Sequence, residues 1–186
     1  MSDADDLLRA YKDFIVQPWE RTLAGPQKVW FLVYEPRHER RIRLHLTEFE
    51  LATREAGHDW TALDLTDAFG TWMGHHEYAE AYYASGDLSD LQPALRDFEE
   101  DLQARLRYTL ETAAVGDKGV VAIYGLGSLF GITSVSALIE AVAGSIRGRL
   151  LAFFPGQHEG NNYRLLDARD GWNYLAVPIT KKDLVL

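Results

Sequence analysis

The stretch K118-GVVAIYGLGSLFGITSVSALI-139 decides how the chain is read. Val120 to Ile123 form a short continuous apolar run, the pattern of a strand buried on both faces. Gly125, Gly127 and Gly131 then permit a tight turn and a close approach of strand to helix. Thr133, Ser134 and Ser136 offer caps for a helix over 134–143. Strand, glycine turn and helix in this order are half of a βαβ unit.

The same turn raises the question of a phosphate cradle. A dinucleotide fingerprint needs GxGxxG after the first strand and an acidic residue roughly 20 positions on. Here the third glycine falls one position late, and the strand reads as the third of the chain. A mononucleotide loop ends in Gly-Lys-Ser/Thr, and this turn has no lysine. Gly125, Gly127, Ser128 and Gly131 are therefore read as a structural or partner-contacting turn. The N–H groups of the helix that follows can still take a small anion.

Working outward, KVWFLVYE (28–35), DWTALDL (59–65), GRLLAFFPG (148–156) and NYLAVPI (173–179) read as further strands. Pro155-Gly156 is expected to end the fourth strand in a tight turn. Leu7, Leu8, Tyr11, Phe14 and Ile15 mark an amphipathic helix. Ile42, Leu46, Phe49 and Ala56 mark another, ending at Gly57. Leu88, Leu91, Leu95, Phe98, Leu102, Leu106 and Leu110 mark a long one. Strands alternating with helices predict a single three-layer α/β/α domain over 1–186, with a mainly parallel, about five-stranded Rossmann-like sheet. Within it, residues 1–25 carry the N-terminal helix, 26–118 an acidic helical half, and 119–186 the glycine turn and the FFPG segment.

Composition narrows the chemistry. The chain has 186 residues, 47% of them hydrophobic, and no cysteine. Thiolate zinc, iron–sulfur clusters, disulfides and thiol nucleophiles are thereby excluded. No apolar run nears the ~20 residues of a membrane span. The acidic start lacks the basic and apolar plan of a signal peptide, so a cytoplasmic location is expected. Net charge is −9, and ten acidic residues face one arginine between Asp64 and Asp101. Such a lobe repels nucleic-acid backbones and suits a basic protein surface. Direct DNA contact is not expected, although PRHERRIR (36–43) is a local basic cluster.

Taken together, YGLGSLF, GRLLAFFPG, the closing NYRLLDARDGWNYLAVPI and, earlier, YEPRHERRI resemble the BrxB-type small component of bacteriophage exclusion (BREX) defence systems. The resemblance runs in order from about Val29 to Ile179. It implies a non-catalytic accessory protein of antiviral defence. Its implied partners are a PglZ-like protein of the alkaline-phosphatase family and the system's methyltransferase. It transfers no catalytic residue and no cofactor. The loop GQHEGNNYRLL departs from the family pattern, being longer and more polar than in some relatives.

In the closing segment, charged groups interleave with aromatics, as on binding surfaces. Arg164, Asp167, Arg169, Asp170 and Trp172 are the candidate partner-binding residues. Glu35 and Asp64 at strand ends, with His158 and Glu159 after the fourth strand, are expected at the edge where open α/β sheets place ligands. They support an alternative reading as a nucleotide- or metal-dependent hydrolase using the 125–131 turn. No metal site is assigned. His75, His76 and Glu77 point in different directions around a helix, and His38 and His45 read as a solvated helix face.

Overall fold

In the computed structural model, residues 3–20, 22–85, 88–112, 116–168 and 171–181 are described. Among them the elements run α1 (Asp3–Ile15), β1 (Val29–Tyr34), α2 (Glu39–Leu44), α3 (Leu46–Glu55), β2 (Trp60–Asp64), α4 (Ala68–Gly74) and α5 (Ala79–Ser85). Then come α6 (Gln92–Thr112), β3 (Val120–Tyr124), α7 (Val135–Val142), β4 (Arg149–Glu159), β5 (Asn162–Leu165), β6 (Trp172–Asn173) and β7 (Val177–Ile179). None of these helices is long and apolar enough to cross a membrane.

The strands make one mixed sheet. β2, β3, β4, β1 and β7 lie side by side in that order, parallel to their neighbours. β5 pairs antiparallel with the far end of β4, and β6 with β5. The expected five-stranded, mainly parallel sheet is thus corrected to seven strands of mixed direction. The physical reason lies at Pro155-Gly156, which is no turn. β4 runs straight through it, exchanging its parallel partner β1, last paired at Tyr34–Pro155, for β5, first paired at Gly156–Leu165. Pro155 donates no ladder hydrogen bond, while its carbonyl accepts from the Leu166 amide at 2.8 Å. Gly156 is required there: a Cβ would come within 2.1 Å of the Arg164 carbonyl oxygen.

The expected last strand, 173–179, is also two. Trp172–Asn173 joins β5, and Val177–Ile179 joins β1 as an edge strand. Pro178 is tolerated there because an edge strand needs ladder bonds on one side only. The helix expected from Ile42 to Ala56 breaks at His45, whose backbone leaves helical geometry and caps both α2 and α3.

Alternation along the strands sends side chains to two separate apolar clusters. Trp30, Leu32, Leu151 and Phe153 pack with Leu7, Tyr11 and Ile15 of α1 and with Ile42 and Phe49 of α2 and α3. Val29, Phe31, Ile123, Leu150 and Phe154 pack with Phe98, Leu102, Leu106 and Leu110 of α6 and with Leu138 and Ile139 of α7. The four α6 side chains recur every fourth residue on one face, and each contributes about 1.5–3 kcal/mol on burial. Ser134 caps α7, its Oγ accepting from the Ala137 amide at 3.2 Å.

Candidate functional site

The two central strands β1 and β4 leave the sheet toward opposite faces. β1 continues into α2 and α3 in the cluster of Tyr11 and Phe49, while β4 continues into β5, whose Tyr163 joins the cluster of Phe31 and Phe154. Adjacent strands that diverge this way open a crevice at their carboxyl ends. The crevice here is a cavity of ≈ 820 Å³. Its floor is Leu7, Val33, Tyr34 and Ile42. Its walls are Glu35 and His38 after β1, Gly156 to Glu159 of β4, Asn162 and Arg164 of β5, Thr180 and Lys181 after β7, and Asp3 at the start of α1.

Charge is concentrated at one end of this crevice. His38 Nε2 lies 3.4 Å from Asp3 Oδ2, and Lys181 Nζ donates to the same oxygen at 3.2 Å. Arg37 pairs with Glu35 at 2.8 Å. The hydrogen bond and positive charge of Lys181, with a smaller contribution from Arg37, hold the Asp3 carboxyl below its usual range. Tyr34 donates to Glu39 beneath this end, and burial, reinforced by that carboxylate, pushes the phenol well above its ordinary value. In the β4 wall, His158 Nε2 is buried and has no hydrogen-bond partner among the described residues.

Of the residues read from the sequence, Glu35, His158, Glu159 and Arg164 meet in this cavity. Asp64 does not. Its Oδ1 accepts from the Thr66 amide at 2.9 Å, and it faces Arg43 at 4.0 Å, while Arg43 is held by Glu39 at 2.8 Å and by Thr66 at 2.6 Å. None of Gly125 to Gly131 lines the cavity either, so the glycine turn and the strand-end carboxylates do not form one site. The turn is built for packing. Gly125 has φ +81, Leu126 and Leu129 are buried, and the Ser128 amide donates to the Gly125 carbonyl at 3.0 Å. Gly127 lies against Pro155 and Leu166, and Gly131, at φ +76, borders a small cleft beside the start of α7.

No family model, curated protein or solved structure matches the chain.

The closing segment divides by role. Trp172 is half-buried on Phe31 and Tyr174, with ring centroids 5.5 and 4.4 Å away, and its Nε1 donates to Glu140 at 2.9 Å. Beneath it Tyr163 donates to the Ala176 carbonyl at 2.8 Å. Arg164 and Asp167 are exposed on β5 and just beyond it. Arg169 and Asp170 lie outside the described residues.

Asp3 and Lys181 escaped the reading of the sequence, and His38, expected on a solvated helix face, is instead largely buried in the turn after β1. His38 carries one local signal: it follows Glu35, at the end of a buried strand, by three positions. Asp3 and Lys181 carry none, because only the sheet order brings α1 and the end of β7 beside β1. His45, expected with His38 on a solvated helix face, instead turns toward α1 and lies 3.5 Å from Asp5.

Proposed function

We propose that this chain is a non-catalytic accessory component of a BREX-type anti-phage system that binds a PglZ-like partner of the alkaline-phosphatase family. The supporting observation is the β4–β5–β6 extension. It carries exposed Arg164 and Asp167 on a hairpin anchored by the packing of Tyr163, Trp172 and Tyr174 on Phe31. A polar surface fixed by packed aromatics loses little freedom on docking, which favours recognition of a protein partner. The acidic half adds a second area, with Tyr78, Tyr83 and Tyr108 exposed among its carboxylates, suited to a basic surface such as that of the methyltransferase. The same reading takes the fold as a Rossmann-like three-layer arrangement and the location as cytoplasmic.

Size-exclusion chromatography of the chain mixed with the PglZ-like protein tests it. A joint peak is expected, lost in the Arg164→Ala/Asp167→Ala double variant without a change in its melting temperature. Separate peaks for the parent pair at low and moderate salt would sink the reading. A second reading, a hydrolase, draws support from Glu35 and His158 sharing one cavity. It predicts turnover of a nucleotide or phosphoester that Glu35→Gln abolishes.

A further inference from the structure

We propose that Asp3, Glu35 and His38 bind a divalent transition-metal ion at the head of the β1/β4 crevice. One donor atom from each lies within 4.8 Å of the other two. Ligands around one Zn²⁺ or Mn²⁺ sit about 2.0–2.2 Å from it, hence roughly 3–3.5 Å from each other. Asp3 and His38, at 3.4 Å, already have that spacing. Glu35 is half exposed and on the rim, so a change of rotamer brings it in. Its side chain comes from the end of β1, that of His38 from the turn that follows, and that of Asp3 from the first turn of α1. The sheet core and α1 thus both hold the donors in place.

One imidazole nitrogen and two carboxylate oxygens suit Mn²⁺ or Zn²⁺ better than Mg²⁺, which prefers oxygen and water. Three protein ligands leave coordination positions open to the cavity. Charge is balanced without an ion by Lys181 on Asp3 at 3.2 Å and Arg37 on Glu35 at 2.8 Å; Arg37 also donates to His38 Nε2 at 3.1 Å. The pairing groups of Lys181 and Arg37 are 48% and 72% exposed, and pairs of that kind are weak enough for a divalent ion to displace. The inference stands apart from the adaptor reading, since partner docking and ion binding are measured separately.

Calorimetric titration of chelator-treated protein with MnCl₂, ZnCl₂ and MgCl₂ tests it. One Mn²⁺ or Zn²⁺ per chain is expected, bound at least tenfold tighter than Mg²⁺. His38→Ala and Glu35→Gln each weaken binding at least tenfold, while far-UV dichroism verifies that they fold. Lys181→Met frees Asp3 and tightens binding several-fold, an effect that a merely structural cluster does not produce. Absent binding, or equal affinity in the parent and His38→Ala, overturns the site. Unchanged affinity in Lys181→Met takes the ion off Asp3 and overturns the three-ligand arrangement. Loss of the ion in a His75→Ala/His76→Ala variant places it just beyond α4 and overturns the proposal as well.

Discussion

Gly125 stands so close to Thr66 that a Cβ on it would lie 2.6 Å from the Thr66 amide nitrogen and equally near its hydroxyl. The glycine turn is therefore a packing joint between the ends of β2 and β3. Its left-handed backbone, φ +81, is a second constraint on the same residue.

Gly125→Ala meets both constraints. The left-handed conformation costs about 1–2 kcal/mol and the clash a further ~1–3 kcal/mol. Gly131, at φ +76, meets only the first, since a Cβ there would have nothing within 4 Å of it. Urea unfolding is expected to rank Gly125→Ala well below Gly131→Ala, and equal losses would show that Thr66 yields.

Two buried tyrosines of the hairpin layer give opposite expectations. Tyr163 donates to the Ala176 carbonyl, so Tyr163→Phe leaves a buried acceptor unpaired and costs about 1–3 kcal/mol. Tyr174 is 7% exposed, and its hydroxyl has no partner among the described residues. Tyr174→Phe removes a desolvated group and is expected to be neutral or stabilising in thermal melts. A large loss in Tyr174→Phe would mean that its hydroxyl is bonded after all.

Alkali should unfold the protein through the same residues. Burial pushes Tyr163 and Tyr174 up to about 12, the latter helped by Glu140. An unfolded tyrosine titrates near 10. Above that pH the unfolded chain releases protons that the native state retains, so the stability these phenols contribute is complete below pH ~10 and is lost as pH rises through 12. The melting temperature is expected to fall steeply from about pH 10 to 12, with phenolate absorbance from the buried rings appearing together with unfolding. Ionisation of all nine tyrosines near pH 10 in a still-folded protein would contradict this.

The elements with strong local patterns were legible in the sequence. Val120 to Ile123, Val29 to Val33 and the leucine row of α6 announce themselves by apolar runs or a four-residue recurrence. Pro155-Gly156 misled because a Pro-Gly pair also fits a strand that changes partner, and nothing local separates the two. The crevice was half legible. Glu35 and His158 follow from the rule that ligands sit at strand ends, yet Asp64 obeys the same rule and is taken by Thr66 and Arg43. Asp3 reaches the site through the packing of α1 on Phe49 and Trp30, a relation between segments that no window of sequence contains.

Strand β1 has one further consequence, for biosynthesis. Both its neighbours come late: Val29 pairs with Leu150, and Trp30 with Val177. At ~5–20 residues per second a ribosome needs roughly 6–24 s to travel from the first partner to the second. Throughout that interval the nascent segment VWFLVY offers two open hydrogen-bonding edges and large apolar side chains, with no native strand to receive them. Its survival in the cell thus depends on whatever shields it until the FFPG segment emerges.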